Sequence, residues 1–357
     1  MGARGLDHPR RPRGRAAVGS GVRARAPPGD VKVDLRVPVG APLSEVADVI
    51  ARAEDAGFDG VGVHDHPHSG RDVYMALALA AQRTRRITLY PATSSPAVRH
   101  PVLLASAAHS LEEIAPGRAR LTIAPGFLSA RSVGRPRAGV AAMREAIGQI
   151  RSLLAGKAES VGATETRLRN VSARPVPVFL LAAGPRMVEL AGEVADGAML
   201  FVGLHRDAIA AARRHLEIGA RRAGRVLAGF PVIFIVTLGL APTIAQGAAW
   251  IRRWFEPGKP LLTYPSAGNL HWLREAGLPF ADDLDPAAID DELARRVADA
   301  FGCFGPAEHC AERLLRAKEE AGVDHVFFFP AHDREGGYAM PTAEIDAFAR
   351  VMRKRLS

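Results

Sequence analysis

From Val31 to the C-terminus, short apolar runs alternate with longer stretches whose apolar residues recur every three or four positions. The runs have the length of strands and the stretches the period of helices. VKVDLRV opens the series, and PLSEVADVIARAEDAG follows as a helix that Ser44 is placed to cap and Gly57 to stop. FDGVGV, RITLYPAT, RARLTIAPG, VPVFLLA, GAMLFV, FPVIFIVTLGL and DHVFFFP supply the second to eighth strands. Helices are predicted at DVYMALALAAQRT, PVLLASAAHSLEEIA and residues 137–155, and ESVGATETRLRN reads as an extended hairpin ahead of the fifth strand. Each unit takes about thirty residues, the size of a βα repeat. Eight parallel strands with intervening helices predict an α/β fold of the (β/α)8 TIM-barrel type, for which about 250 residues is typical. The largest insertion falls between strands seven and eight, at 257–300, where turn signals lack a clear period and a loop covering the barrel mouth is expected. A doubly wound open sheet shows the same alternation, but no G-x-G-x-x-G fingerprint follows the first strand.

Composition narrows the class. A chain of 357 residues with 48% hydrophobic content can bury a sizeable core. No apolar run reaches membrane-spanning length and the N-terminus lacks a secretory pattern, so a soluble, cytoplasmic protein with no membrane partner is expected. The formal charge of +9 sits mostly in residues 1–30, where seven arginines face two aspartates. That segment has no apolar periodicity and is expected to be a disordered basic tail, leaving 31–357 as the barrel domain. The charge therefore does not point to a nucleic-acid partner, although an RNA-binding arm is the alternative. Cys303 and Cys310 suit neither a zinc knuckle nor a redox pair and read as small apolar side chains.

In a barrel the chemistry belongs at the C-terminal strand ends. The second strand ends in VGVHDHPHSG, where strand alternation puts His64 and His66 on one face and Asp65 on the other. Such an H-x-H pair could ligate a metal if His205, His332 or Asp333 completed the set, as in a metal-dependent hydrolase; equally, these histidines could only cap the strand end by hydrogen bonds. The other strand ends are small and neutral: Ala92-Thr93, Gly126-Phe127, Ala183-Gly184-Pro185. They suit a flat aromatic cofactor lying against backbone. At Ala183-Gly184, Pro185 opens a helix with Arg186 beside it, a place where free amides attract a phosphate, or simply an ordinary strand-to-helix turn.

Four stretches together resemble the luciferase-like barrel oxidoreductases, which use FMN or the deazaflavin coenzyme F420: ARAEDAGFDGVGVHDHP, the run from RTRRITLYPATSS to RLTIAPG, VPVFLLAAGPRMVELAGEVADGAML, and GPAEHCAERLLRAKEEAGVDHVFFFP. GPRMVELAGEVADG and AMREAIGQIRSLLAGK are most similar to the methylenetetrahydromethanopterin reductase branch, which implies F420, with FMN the alternative. The resemblance implies that Asp65-His66 is the catalytic pair, with His66 against the cofactor ring and no metal. It implies a cis peptide at Ala92-Thr93, a cofactor wall reaching Gly126, a phosphate turn at Ala183, Gly184, Pro185 and Arg186, an adjacent wall at Gly197-Ala198, and a homodimer. Where several relatives carry an acidic residue after the fourth strand, this chain has Phe127, which implies an apolar or aromatic small-molecule substrate. The implied activity is hydride transfer with F420, or monooxygenation with FMN; a cofactor-binding protein without turnover is the non-enzymatic alternative.

Overall fold

The structure, a computed structural model, describes residues 30–254, 267–280, 289–332 and 336–357. All but the last residue of the expected basic tail lies outside them. The strands are β1 (Lys32–Val37), β2 (Gly60–Val63), β3 (Thr88–Pro91), β4 (Leu121–Ile123), β5 (Glu159–Val161), β6 (Thr164–Thr166), β7 (Val178–Ala182), β8 (Gly197–Leu200), β9 (Val232–Leu240), β10 (Gly302–Gly305) and β11 (His325–Pro330). The main sheet runs β3-β2-β1-β11-β9-β8-β7-β4 with every neighbouring pair parallel. Parallel bridges Leu89–Ala119 and Ser94–Ile123 bring β3 to β4 and close the ring. This is the expected eight-stranded TIM barrel, and the predicted hairpin is the antiparallel pair β5–β6.

Strands buried on both faces read as nearly unbroken apolar runs, which is why all eight could be found. Outward residues such as Leu35 and Phe328 pack on the helices, and Phe58 stacks on Phe348 at 4.0 Å between ring centroids. Inward residues alternate with them, so Asp34 and Arg36 of β1 both enter the barrel, one above the other.

The lower layer is a closed polar network. Asp34 accepts from the Tyr90 hydroxyl at 2.6 Å and from Arg120 at 3.1 Å, and lies 2.9 Å from His325 Nε2. Burial alone would raise the Asp34 pKa, but His325, Arg120 and Tyr90 outweigh it and hold the carboxyl well below the usual carboxylate range. Arg120 also lies 4.7 Å from the centroids of Tyr90 and Phe179, and Gly60 is glycine where a Cβ would come within 2.4 Å of the Asp34 carboxylate.

Three local expectations need correction. The first helix, Leu43–Ala56, starts after Pro42, so Ser44 lies inside it instead of capping it, while Gly57 does stop it at φ +95°. A short helix, Phe127–Ser132, follows β4 where no element was predicted. The 257–300 segment is not a plain loop: its described parts include helices Ala267–Glu275 and Asp291–Phe301, and β10 follows, paired with the end of β9. Residues 255–266 and 281–288 fall outside the described residues, and with them much of the segment expected to cover the mouth. No helix among the described residues is long and apolar enough to cross a membrane.

Candidate active site at the barrel mouth

Strand alternation carries His64 and His66 to the same side at the end of β2, with ring centroids 4.5 Å apart. Beneath them is Arg36, 2% exposed, with no carboxylate within ion-pair distance among the described residues. Its Nε donates to His64 Nε2, its Nη2 lies 3.2 Å from His64 Nδ1 and donates to the Gly337 carbonyl at 2.6 Å, and its guanidinium carbon lies 4.8 Å from the Phe329 ring centroid. An imidazole that accepts from a guanidinium must be neutral, because an imidazolium has no lone pair to offer. Burial, then Arg36, His66 and His332, pushes the His64 pKa well below its ordinary value in agreement. Burial also draws the Arg36 pKa down, to about 9.

His66 sits half-buried above this pair. Its Nδ1 lies 3.2 Å from the Tyr338 hydroxyl, which lies 2.9 Å from His68 Nε2. Burial first, then His68, Arg36 and His332, lowers the His66 pKa to about 4. The mouth therefore presents a neutral imidazole whose Nδ1 is engaged, leaving Nε2 as the nitrogen able to work on a ligand.

Asp65 does not join them. Its carboxylate turns to the opposite face, where it accepts from Arg99 Nε at 2.8 Å, Arg99 Nη2 at 2.9 Å and Ser94 Oγ at 2.6 Å. Arg99 continues to Asp72 at 2.7 Å, and Asp72 caps helix Val73–Arg83. Asp65 is thus a positioning residue that ties the end of β2 to neighbouring elements, in correction of the expected Asp-His catalytic pair.

The remaining expected residues separate into two groups. Ala92 follows β3 beside Gly62, where a Cβ would lie 2.6 Å from the Ala92 methyl, and the Ala92–Thr93 peptide is cis, as the resemblance implies. Gly126 has φ +86° and faces Ser95 so closely that a Cβ would fall 2.3 Å from its hydroxyl. Phe127, 60% exposed, opens the short helix beside it. Ala183 and Gly184 follow β7, and helix Pro185–Val194 begins there with no side chain capping it and with Arg186 exposed at its second position. All of these occupy the C-terminal rim.

Gly197 and Ala198 do not. They open β8, in register with Phe179 and Leu180, at the opposite end of the barrel from the mouth. A Cβ on Gly197 would sit 2.3 Å from the Phe179 ring, so this glycine makes room for a core aromatic. The expectation that Gly197-Ala198 walls the cofactor is corrected: the matching motif lies at a strand start, about 10 Å below the rim.

The metal alternative finds little support in this geometry. The His64 lone pair already meets a guanidinium, which would repel a cation, and His205 instead caps helix Arg206–Arg222 through Nδ1. Among the described residues no group of three or more His, Cys, Asp or Glu is arranged to hold a metal ion. Asp333 lies outside them.

A family model described as luciferase-like monooxygenase matches residues 23–325. The chain belongs to this family. Relatives found by sequence comparison include 5,10-methylenetetrahydromethanopterin reductases and F420-dependent glucose-6-phosphate dehydrogenases. The chain is 31% identical over 295 residues to a 5,10-methylenetetrahydromethanopterin reductase of Archaeoglobus fulgidus, covering 77% of this chain and 86% of that one. It is 31% identical over 327 residues to an F420-dependent glucose-6-phosphate dehydrogenase of Beutenbergia cavernae, covering 85% and 90%. A reductase of Methanolobus tindarius is 33% identical over 191 residues, a match spanning 58% of its length. The solved F420-dependent tetrahydromethanopterin reductase of Methanopyrus kandleri superposes with a TM-score of 0.68 at 22% identity, covering 92% of this chain and all of that one, which shows the shared fold.

The residues present fit such a cofactor. A side chain at Gly184 would meet nothing within 4 Å, so an open cradle lies before the first turn of helix Pro185–Val194, whose amides are suited to a phosphate. Sequence reasoning missed Arg36, Tyr338 and Arg99. Arg36 carried a signal, since charged residues at alternate positions of an otherwise apolar strand mark the inward face. Tyr338 meets His66 across 272 residues of chain, and no local pattern reports that.

Proposed function

We propose that this family member transfers a hydride between F420 and a small apolar or aromatic substrate held in the barrel mouth. The observation that carries the reading is the 31% identity to an F420-dependent dehydrogenase spread over 85% of the chain. F420, when bound, supplies the two-electron hydride acceptor or donor. His66 offers the neutral Nε2 that takes or returns the accompanying proton, while Tyr338 fixes the ring through Nδ1. The start of helix Pro185–Val194, with Ala183 and Gly184, takes the phosphate, and Ala92, Thr93 and Gly126 line the wall. Phe127 has no proton to exchange and offers an apolar surface to the substrate. A homodimer and a cytoplasmic setting belong to the same reading. The dimer is supported by Met75 and Leu103, each 63% exposed on the neighbouring helices Val73–Arg83 and Pro101–Ile114, and sedimentation at one chain's mass would remove it.

The test is titration of purified protein with F420 and with FMN, followed by fluorescence. Saturable F420 binding with reduction by a bound donor supports the reading. Tight binding of FMN alone moves it to a flavin monooxygenase, and stoichiometric zinc with affinity for neither coenzyme overturns it.

A further inference from the structure

Trp272 is fully buried, yet it comes from helix Ala267–Glu275 within the long insertion and not from the barrel. His271 packs edge-to-face on it at 4.6 Å, and His215 of helix Arg206–Arg222 does so at 6.0 Å. Its indole Nε1 donates to the Ala183 carbonyl. The Ala182 carbonyl, one residue earlier, is taken by the Phe201 amide of the neighbouring strand path, so the sheet bonding ends where the indole bond begins.

The only cis peptide among the described residues is Ala92–Thr93, so the Ala183–Gly184 unit is trans. In a planar trans peptide the carbonyl and the following N–H point in opposite directions. An indole that holds the Ala183 oxygen on one side therefore aims the Gly184 N–H to the other. Gly184 contributes no side chain to block that direction, and the space a Cβ would enter is open. We infer that Trp272 is a positioning residue for anion binding: it locks the Ala183–Gly184 peptide so that the Gly184 amide joins the first-turn amides of helix Pro185–Val194 in holding a phosphate.

This rests on the proposed cofactor site but makes a claim of its own, that an element of the insertion tunes affinity for the phosphate and not for the ring. Phosphorylated ligands should depend on Trp272, while ligands lacking phosphate should not. Loosening the aim of one donor to a charged group should cost up to about tenfold in affinity.

The experiment compares the wild type with Trp272→Phe, which keeps an aromatic ring and removes the N–H. In 15N-labelled protein without cofactor, inorganic phosphate should shift the Gly184 amide of the wild type, and the shift should weaken about tenfold in midpoint in the variant. FMN and F420 affinities should fall by a similar factor, while riboflavin and the phosphate-free deazaflavin riboside keep theirs. An equal loss for phosphorylated and unphosphorylated ligands reduces Trp272 to a packing role and overturns the inference. So does a wild-type Gly184 amide indifferent to phosphate, a measurement that needs no folded variant. A phosphate shift at Gly184 in a protein that binds neither coenzyme would instead leave this inference standing and remove the F420 reading.

Discussion

The two ends of the barrel both carry buried charge, and they treat it in opposite ways. At the lower end Asp34 is matched by Arg120, His325 and Tyr90, so the network is balanced and sealed. At the mouth Arg36 meets a neutral imidazole, a carbonyl and a ring face, with no carboxylate within ion-pair distance among the described residues and Glu344 acting on it from farther off. A balanced cluster is a plug, and mutating it should be felt in stability. A cation held over neutral imidazoles leaves positive potential and unspent hydrogen-bonding capacity where a ligand arrives, and mutating it should be felt in binding and pH response.

The largest expected effect is at the plug. Asp34→Ala removes the carboxylate and leaves Arg120 and His325 without their partner, which costs about 3–5 kcal/mol for a broken buried pair. Urea unfolding should show it, and a loss below about 1 kcal/mol would contradict the balanced-network description. The sign with pH follows from the depressed Asp34 pKa. Its contribution is fully present above the unfolded carboxyl pKa near 4 and fades as pH falls below that toward the folded value.

Gly197→Ala sharpens the comparison at intermediate size. The added methyl collides with the Phe179 ring, itself 4.7 Å from the Arg120 guanidinium, so overpacking should cost about 1–3 kcal/mol. Coenzyme affinity of the folded molecules should not change, because the position lies at the lower end. A tenfold loss of affinity with stability retained would return Gly197 to the cofactor wall.

That residue also shows what the sequence could and could not reveal. The eight strands were legible because each is an apolar run closed by turn signals, and the parity of His64, Asp65 and His66 was legible because a strand fixes it. GCFG of β10 was not, being short, glycine-rich and joined directly to a helix. Gly197 sat in the right motif but at the wrong end of its strand, since likeness to a family does not by itself say which end of an element faces the ligand. Asp65 was read as half of a catalytic pair because the family resemblance implies it, although strand parity already set it on the face opposite His66. Its bidentate bond to Arg99, 34 residues away, is a tertiary fact that the local sequence hides.

The smallest expected effect tests the mouth directly. His66 has its pKa lowered to about 4, by burial and then by the positive neighbours His68, Arg36 and His332. In the unfolded chain a histidine takes its proton near pH 6.5, so between about 6.5 and 4 the unfolded state binds more protons than the folded one. Stability is then complete above 6.5 and declines as pH falls through that window. His66→Gln keeps a polar group within reach of Tyr338 but cannot titrate, so its stability should lie within about 0.5 kcal/mol of wild type at pH 8. By pH 6 it should have lost about 1 kcal/mol less than wild type, with the remaining slope shared by the more deeply buried His64 and by His271, whose pKa burial also lowers. Urea midpoints for the two proteins across pH 5 to 8 measure this. Parallel profiles would mean that His66 is readily protonated in the folded state, and the neutral Nε2 assigned to the mouth would then be lost along with the contrast between the two ends.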